Sequence, residues 1–415
     1  MRGIRLGAVL GVLAATLLLG FLGKAEPGLT GGSCLAGFLH GPKAAALCYS
    51  DIVTLYSTEN LEGSRLPYLQ PCAPQPGTQC DEYPPVTMYT MWLAASIASG
   101  YRTFFYANVL LLSIAAVATT VCLYVMVGSR ALYFALAPTL LLYGFFNWDL
   151  VAVALATAAT LAFLSQRDAT SGVLIGLGAA SKLYPVLLLI PFILQRVREG
   201  HTRRAARLGL TAIGTWLAVN LPFMVLAPNG WSTFFRFNNS RPLNVDSLWY
   251  IGCRFLSPSS DGQCVSSRLV NLLTVVLVGS VGAALWRIKT RRHVNWPRWT
   301  FVFPLIALFL LTSKVYSPQY SLWLLPWFAL TLPGLGPLSS LGLFLVFEAT
   351  EVAVFVTELL WFSADSHSAG LPQWVFAGTV LARDLILALA ILAWVRGPSP
   401  TVHDIRSAEP VPSLA

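Results

Sequence analysis

The chain has 415 residues, 56% of them hydrophobic and 11% charged, with a mean hydropathy of +0.66 and a net charge of +9. A soluble protein carries about 25% charged residues, so a water-soluble domain is excluded and the solvent is lipid, where only helices or a closed barrel satisfy every backbone group. The apolar runs are long and do not alternate, which selects helices; the basic residues sit in short loops between them, where they orient the chain across a membrane, and no nucleic-acid partner is read.

Arg2 and Arg5 precede the apolar run 6–22. The run is long and no small-x-small cleavage site follows it cleanly, so it reads as an uncleaved first span with its N-terminus inside. Residues 24–102 then form a first extracytoplasmic loop, rich in Pro and Gly, with a short apolar helix over 86–100 along the membrane surface. Residues 103–127 make the second full span and end near Arg130. The runs 131–146 and 150–165 flank Asn147-Trp148-Asp149, and 171–181 and 184–195 flank Lys182. Each is shorter than the roughly 20 residues of a straight span. They read as two hairpins whose tips stop within or near the outer leaflet, which leaves Arg130, Arg167 and the basic run Arg196 to Arg207 inside.

Residues 208–227 cross outward, and 228–266 form a second extracytoplasmic loop. Residues 267–286 return to an inside loop carrying Arg287 to Arg298. Residues 299–313 go out, 313–319 turn, 320–332 come back, and 338–361 and 373–395 form a last pair joined outside around His367. Residues 397–415 are polar and Pro-rich and are expected to be a disordered cytoplasmic tail. The expected architecture is an all-α, polytopic integral membrane bundle, one domain over 1–396, with about twelve transmembrane or half-spanning helices and both termini inside.

Cys34, Cys48, Cys72 and Cys80 fall on the first outer loop and Cys253 and Cys264 on the second, while Cys122 lies in an apolar run. Cysteines gathered on one side predict disulfides in an oxidising compartment. Cys253–Cys264 is the favoured pair; the pairing of the other four is open. Their spacings fit no zinc pattern and no histidine accompanies them, so no metal is expected.

The ionisable residues near the outer helix ends are Asp51, Asp149, Lys182, Arg236, Arg241, Asp246, Lys314 and His367. A lysine at mid-membrane costs on the order of 3 kcal/mol even on the lenient insertion scale, so Lys182 and Lys314 should face a polar cavity or an anion. Cations can hold a phosphate while a carboxylate takes a proton from an attacking hydroxyl. Each has a bland alternative: the lysines can snorkel to the interface, Asp51 and Asp149 can cap helices, Arg236 and Arg241 can be ordinary loop charges, and His367 a solvated one. Glu348, Glu351 and Glu358 share one helix stripe, expected to face the cavity rather than lipid.

The ordered series Asp51-x-x-x-x-Tyr56, Tyr83-Pro84-Pro85, Asn147-Trp148-Asp149, Ser181-Lys182-Leu183-Tyr184-Pro185, Ser247-Leu248-Trp249 and Ser313-Lys314-Val315-Tyr316-Ser317-Pro318-Gln319-Tyr320 resembles glycosyltransferase family 87. These are polyprenyl-phosphate-mannose-dependent mannosyltransferases of the GT-C class. The likeness runs from about Cys48 to Pro326. It implies a mannose donor on a phosphorylated polyprenol, a glycolipid or glycan acceptor of the cell envelope, and inverting transfer at the extracytoplasmic face of the plasma membrane. Asp51 stands at the position of the catalytic base. Lys182 and Lys314, with Arg236 or Arg241, would hold the donor phosphate. Tyr56, Tyr83, Asp149, Tyr184, Trp249, Gln319 and Tyr320 would contact substrate. No cofactor is implied, since a polyprenyl phosphate leaving group carries charge that cations can stabilise, and a single displacement needs one base. Another lipid-linked sugar, a lipid or sugar transporter, or a non-catalytic scaffold are the competing readings; the adjacent, unmirrored short hairpins argue against a transporter.

Overall fold

The computed structural model describes residues 4–25, 49–72, 80–331, 337–363 and 370–398. Cys34, Cys48, His367 and residues 399–415 lie outside these. Every regular element among the described residues is a helix. By length and composition, Leu6–Lys24, Tyr101–Ala135, Thr202–Leu226, Ser267–Arg292 and Gln373–Arg396 can cross a membrane. These five do not by themselves give the twelve crossings expected: the other apolar helices include the shorter Asp149–Leu164 and Arg298–Thr312. Leu18 is 55% exposed, Leu110 63%, Leu210 70% and Val275 70%. Large aliphatic residues this open on several long helices mark faces that lipid, not water, covers.

The second of the two expected hairpins, around Lys182, folds back as expected. Asp149–Leu164 and Asp168–Ala179 run side by side, the chain reverses around Lys182, and Leu189–Arg198 returns. Arg196 closes this path: its Nε meets Asp168 Oδ1 at 2.7 Å and its guanidinium donates to the Phe163 carbonyl at 2.6 Å. The beginning of one helix and the end of the other therefore lie at the same end of the bundle. Gly172 and Gly176 let Thr202–Leu226 approach closely; a Cβ on Gly176 would sit 2.5 Å from the Ala212 carbonyl oxygen, the small-residue device of membrane helix pairs.

The basic loops collect at this end. Arg198 donates to Asn295 at 3.1 Å, His293 meets the Arg396 carbonyl at 3.0 Å, and Arg204 donates to Gln166. The turns that carry Asn147, Lys182 and Lys314 lie at the far ends of the helices concerned.

The two long loops, 24–102 and 228–266, hold more structure than expected of them. In the first, Pro85–Ala95 is the short helix expected over 86–100, and Asp51–Thr58 is a further helix. Between them Arg65 pairs with Asp81 at 2.8 Å, while the buried Glu59 accepts from the Asp81 backbone at 2.6 Å and the Glu82 backbone at 3.2 Å. This network fixes the segment leading to Tyr83. The second loop contains helices Pro228–Ser240 and Leu248–Leu256, the latter capped by Ser247 Oγ, which accepts from the Tyr250 amide at 3.1 Å. Cys253 and Cys264 are bonded, as expected, and Cys72 is bonded to Cys80.

Candidate active site

A cavity of about 840 Å³ lies among the helix ends away from the basic loops. Asp51, Tyr83 and Asn147 line one part of it, Lys182 and Tyr184 another, and the strap Ser313–Tyr320 a third.

Asp51 is the first residue of its helix, and the cap position belongs to Ser50, whose Oγ donates to the Phe145 carbonyl at 2.7 Å. The Asp51 carboxylate is thus free for other partners. Tyr49 donates its hydroxyl to Oδ1 at 2.5 Å, and Asn147 Nδ2 donates to Oδ2 at 2.8 Å. Asn147 Nδ2 also donates to the Tyr83 hydroxyl oxygen at 2.8 Å. Burial, and then the neighbouring Asp51, push the hydroxyls of Tyr49 and Tyr83 well above their usual titration range, so both stay protonated donors. Behind Tyr49, the buried Lys24 donates to its backbone carbonyl at 2.8 Å. Among the described residues each carboxylate oxygen is held by one donor and retains a lone pair to accept a proton.

Lys182 stands on the other side of Asn147. Its ammonium donates to Asn147 Oδ1 at 3.2 Å and to Asp149 Oδ2 at 3.1 Å. The rings of Tyr83 and Tyr320 lie 5.2 and 5.4 Å from it. An ammonium has three N–H donors, so one remains for a ligand. Asp149 begins the helix Asp149–Leu164 but makes no capping bond. Its carboxylate is wholly buried and also accepts from Trp323 Nε1 at 2.8 Å. It anchors Lys182 and does not line the cavity.

The strap supplies the second cation. Lys314 is buried and donates to the Asn239 carbonyl at 3.1 Å. Burial, reinforced by nearby Arg241, lowers its ammonium to about 8. Arg241, Gln319 and Tyr320 line the cavity beside it. Tyr320 stacks on Trp323 at 4.2 Å, and Trp323 on Tyr184 at 4.3 Å, an aromatic wall along the cation side.

Several expected residues point elsewhere. Arg236 is exposed and bonds back to its own helix, donating to the Asn229 carbonyl at 2.8 Å and to Ser232 Oγ. It does not line the cavity and leaves the phosphate-binding set. Tyr56 is buried against Phe104 at 4.5 Å. Trp249 donates to the Thr312 carbonyl at 2.7 Å, which ties the second loop to the strap. Neither lines the cavity. Asp246 turns into the interior beside Arg383, which donates to its carbonyl at 3.1 Å. Of the glutamate stripe, Glu348 accepts from the Thr139 amide at 2.8 Å, Glu351 from Ser321 Oγ at 2.6 Å, and Glu358 alone lines the cavity. Lys24, Tyr49 and Trp323 were not singled out from sequence: Lys24 and Trp323 act on partners 25 and 174 residues away, whereas Tyr49 reaches Asp51 only two residues on, where no motif marks it.

The family model described as "Glycosyltransferase family 87" matches residues 82–318. That stretch contains Lys182, Arg241 and Lys314 but neither Asp51 nor Gln319. No curated protein matches the chain. Among solved structures, ArnT from Cupriavidus metallidurans bound to undecaprenyl phosphate is similar at 13% identity and a TM-score of 0.45, over 97% of this chain and 78% of that one. The Archaeoglobus fulgidus oligosaccharyltransferase in the apo form is similar at 14% identity and a TM-score of 0.44. The match covers 95% of this chain, which spans 56% of the length of that relative.

Proposed function

Because the chain belongs to glycosyltransferase family 87, we propose that it transfers mannose from a polyprenyl-phosphate donor to a hydroxyl of a cell-envelope glycolipid or glycan, with inversion, on the extracytoplasmic side of the plasma membrane. One observation carries the reading: an acid and a cation, Asp51 and Lys182, are held at opposite ends of one amide side chain, Asn147, in a single cavity. In the transfer, the acceptor oxygen forms a bond to the sugar C1 and gives its proton to Asp51. The bond from C1 to the phosphate oxygen breaks, and its electron pair leaves with the polyprenyl phosphate. Lys182, Lys314 and Arg241 stabilise that charge, which is worth more in a dry cavity than in water. Tyr83, Tyr184 and Tyr320 supply walls for the sugar and the first isoprene units.

The gathering of basic loops at one end of the bundle supports the orientation, since positive loops stay in the cytoplasm and the cavity lies among the opposite helix ends. The mannosyl donor itself follows from the motif resemblance. Purified protein in nanodiscs, given polyprenyl-phosphate-mannose and an envelope glycolipid extract, should release polyprenyl phosphate and yield a mannosylated product. Turnover only with a different polyprenyl-phosphate sugar would replace mannose. No release with any such donor would remove the enzyme reading.

A further inference from the structure

Gln319 carries an amide that the fold does not use. Its side chain is 4% exposed, and its Oε1 is buried without a hydrogen-bond partner among the described residues. Other buried polar atoms lack partners too, on Asp246, Glu348, Glu351, Arg383 and Asp384 among others, but of all of them only Gln319 belongs to the cavity lining.

Its neighbours are fully committed. Tyr316 and Ser321 hydroxyls pair at 3.0 Å, and Ser321 donates to Glu351 at 2.6 Å. Tyr320 is stacked on Trp323, and its ring lies 5.4 Å from the Lys182 ammonium. The backbone at 316–321 is therefore pinned on both sides of an unpaired amide. Leaving a buried carbonyl oxygen unpaired is unfavourable, and the terminal torsion of glutamine is soft, so a turn of the amide presents the oxygen to the cavity.

We propose that Gln319 reads a hydroxyl of the transferred sugar and is a specificity-determining residue for the donor. This rests on the reading of the cavity as the site of a lipid-phosphate sugar donor. The chemistry selects the sugar over the phosphate. The orphan oxygen only accepts hydrogen bonds, and phosphate oxygens also only accept, whereas a sugar hydroxyl donates. The amide nitrogen can donate in turn to the adjacent hydroxyl oxygen, so one glutamine fits a pair of neighbouring hydroxyls. The position next to Tyr320, beside the Lys182 ammonium, puts that contact close to the phosphate-linked carbon rather than out along the prenyl chain.

The test is a cycle of Gln319→Met against a series of monodeoxy polyprenyl-phosphate sugars, with wild type and the parent donor as the first arm. That first arm alone decides the underlying reading: wild type that turns over no parent donor ends it without reference to Gln319. Where wild type is active, Gln319→Met should lose about 10- to 100-fold in kcat/KM with the parent donor. It should lose almost nothing further with the one deoxy donor that wild type already rejects. Losses that multiply independently for every deoxy donor would overturn the proposal and leave Gln319 bonded to cavity water. Retained affinity for polyprenyl phosphate shows that the variant is folded. Should Gln319→Met fail that check, Gln319→Glu keeps the accepting oxygen and the size but not the N–H donor, so it must preserve discrimination against the deoxy donor that lacks the hydroxyl read by Oε1; losing it would also count against the assignment.

Discussion

Asn147 donates to Asp51 at 2.8 Å with the nitrogen of its amide while the oxygen of that amide accepts from Lys182 at 3.2 Å. A carboxylate and an ammonium left alone in a cavity of low dielectric would collapse onto each other. Here the amide keeps them apart and orients both, and the ion-pair partner of Lys182 is instead Asp149 at 3.1 Å. Among the described residues no cation pairs with the acid, which suits the proton-accepting role proposed for it.

Asp51→Asn should keep donor affinity and lose transfer. General-base catalysis contributes about 10²- to 10⁴-fold, so kcat should drop by that amount in single-turnover assays, with the donor KM unchanged. Turnover near wild type would move the base elsewhere in the cavity, with Glu358 the next acid to replace.

Asn147→Ala removes the only donor to Asp51 Oδ2 among the described residues and one contact to Lys182. Hydrogen bonds to charged groups are worth roughly 1.5–3 kcal/mol, so kcat should fall about 10- to 100-fold. Tyr49→Phe removes the donor to Oδ1 and should lower kcat with the donor KM unaltered. An Asn147→Ala enzyme impaired only in KM would reduce this residue to a ligand contact.

The structural role of Lys182 and the ligand role proposed for it separate experimentally. Lys182→Met strands the wholly buried Asp149 carboxylate, and breaking a buried pair costs about 3–5 kcal/mol. Lys182→Met with Asp149→Asn should restore thermal stability without restoring donor affinity. A double variant with the wild-type donor KM would make Lys182 a structural ion-pair member alone.

The lowered ammonium of Lys314 sets a pH limb. Below about 8 it is charged and suited to the phosphate contact proposed for it; above that it becomes neutral, so the donor KM should rise as the pH climbs past about 8. Arginine keeps its charge far above that range, so Lys314→Arg should flatten the limb, as read from donor KM between neutral and alkaline pH. A limb unmoved by the substitution would assign it to another group.

Hydropathy is a local property, and it carried the local conclusions. The long apolar runs, the return of the chain between Arg167 and Arg196, the reversal at Lys182 and the bond between Cys253 and Cys264 were all legible from residue order. The glutamate stripe avoids lipid, which excludes ionisable groups, but only Glu358 reaches the cavity it was expected to face, while Glu348 and Glu351 are spent on Thr139 and Ser321. The site itself was only partly legible. Arg236, Trp249 and Tyr56 look in sequence like Arg241, Tyr184 and Tyr83, yet the first three spend their side chains on helix, strap and core. Asp51 and Asn147 are 96 residues apart, and Asp149 and Trp323 are 174 apart. Composition and periodicity determined that this chain is a bundle of membrane helices with polar turns. Only tertiary packing decided which of those turns meet, because a side chain's partner depends on the direction in which neighbouring helix ends deliver it, and no single stretch of sequence carries that direction.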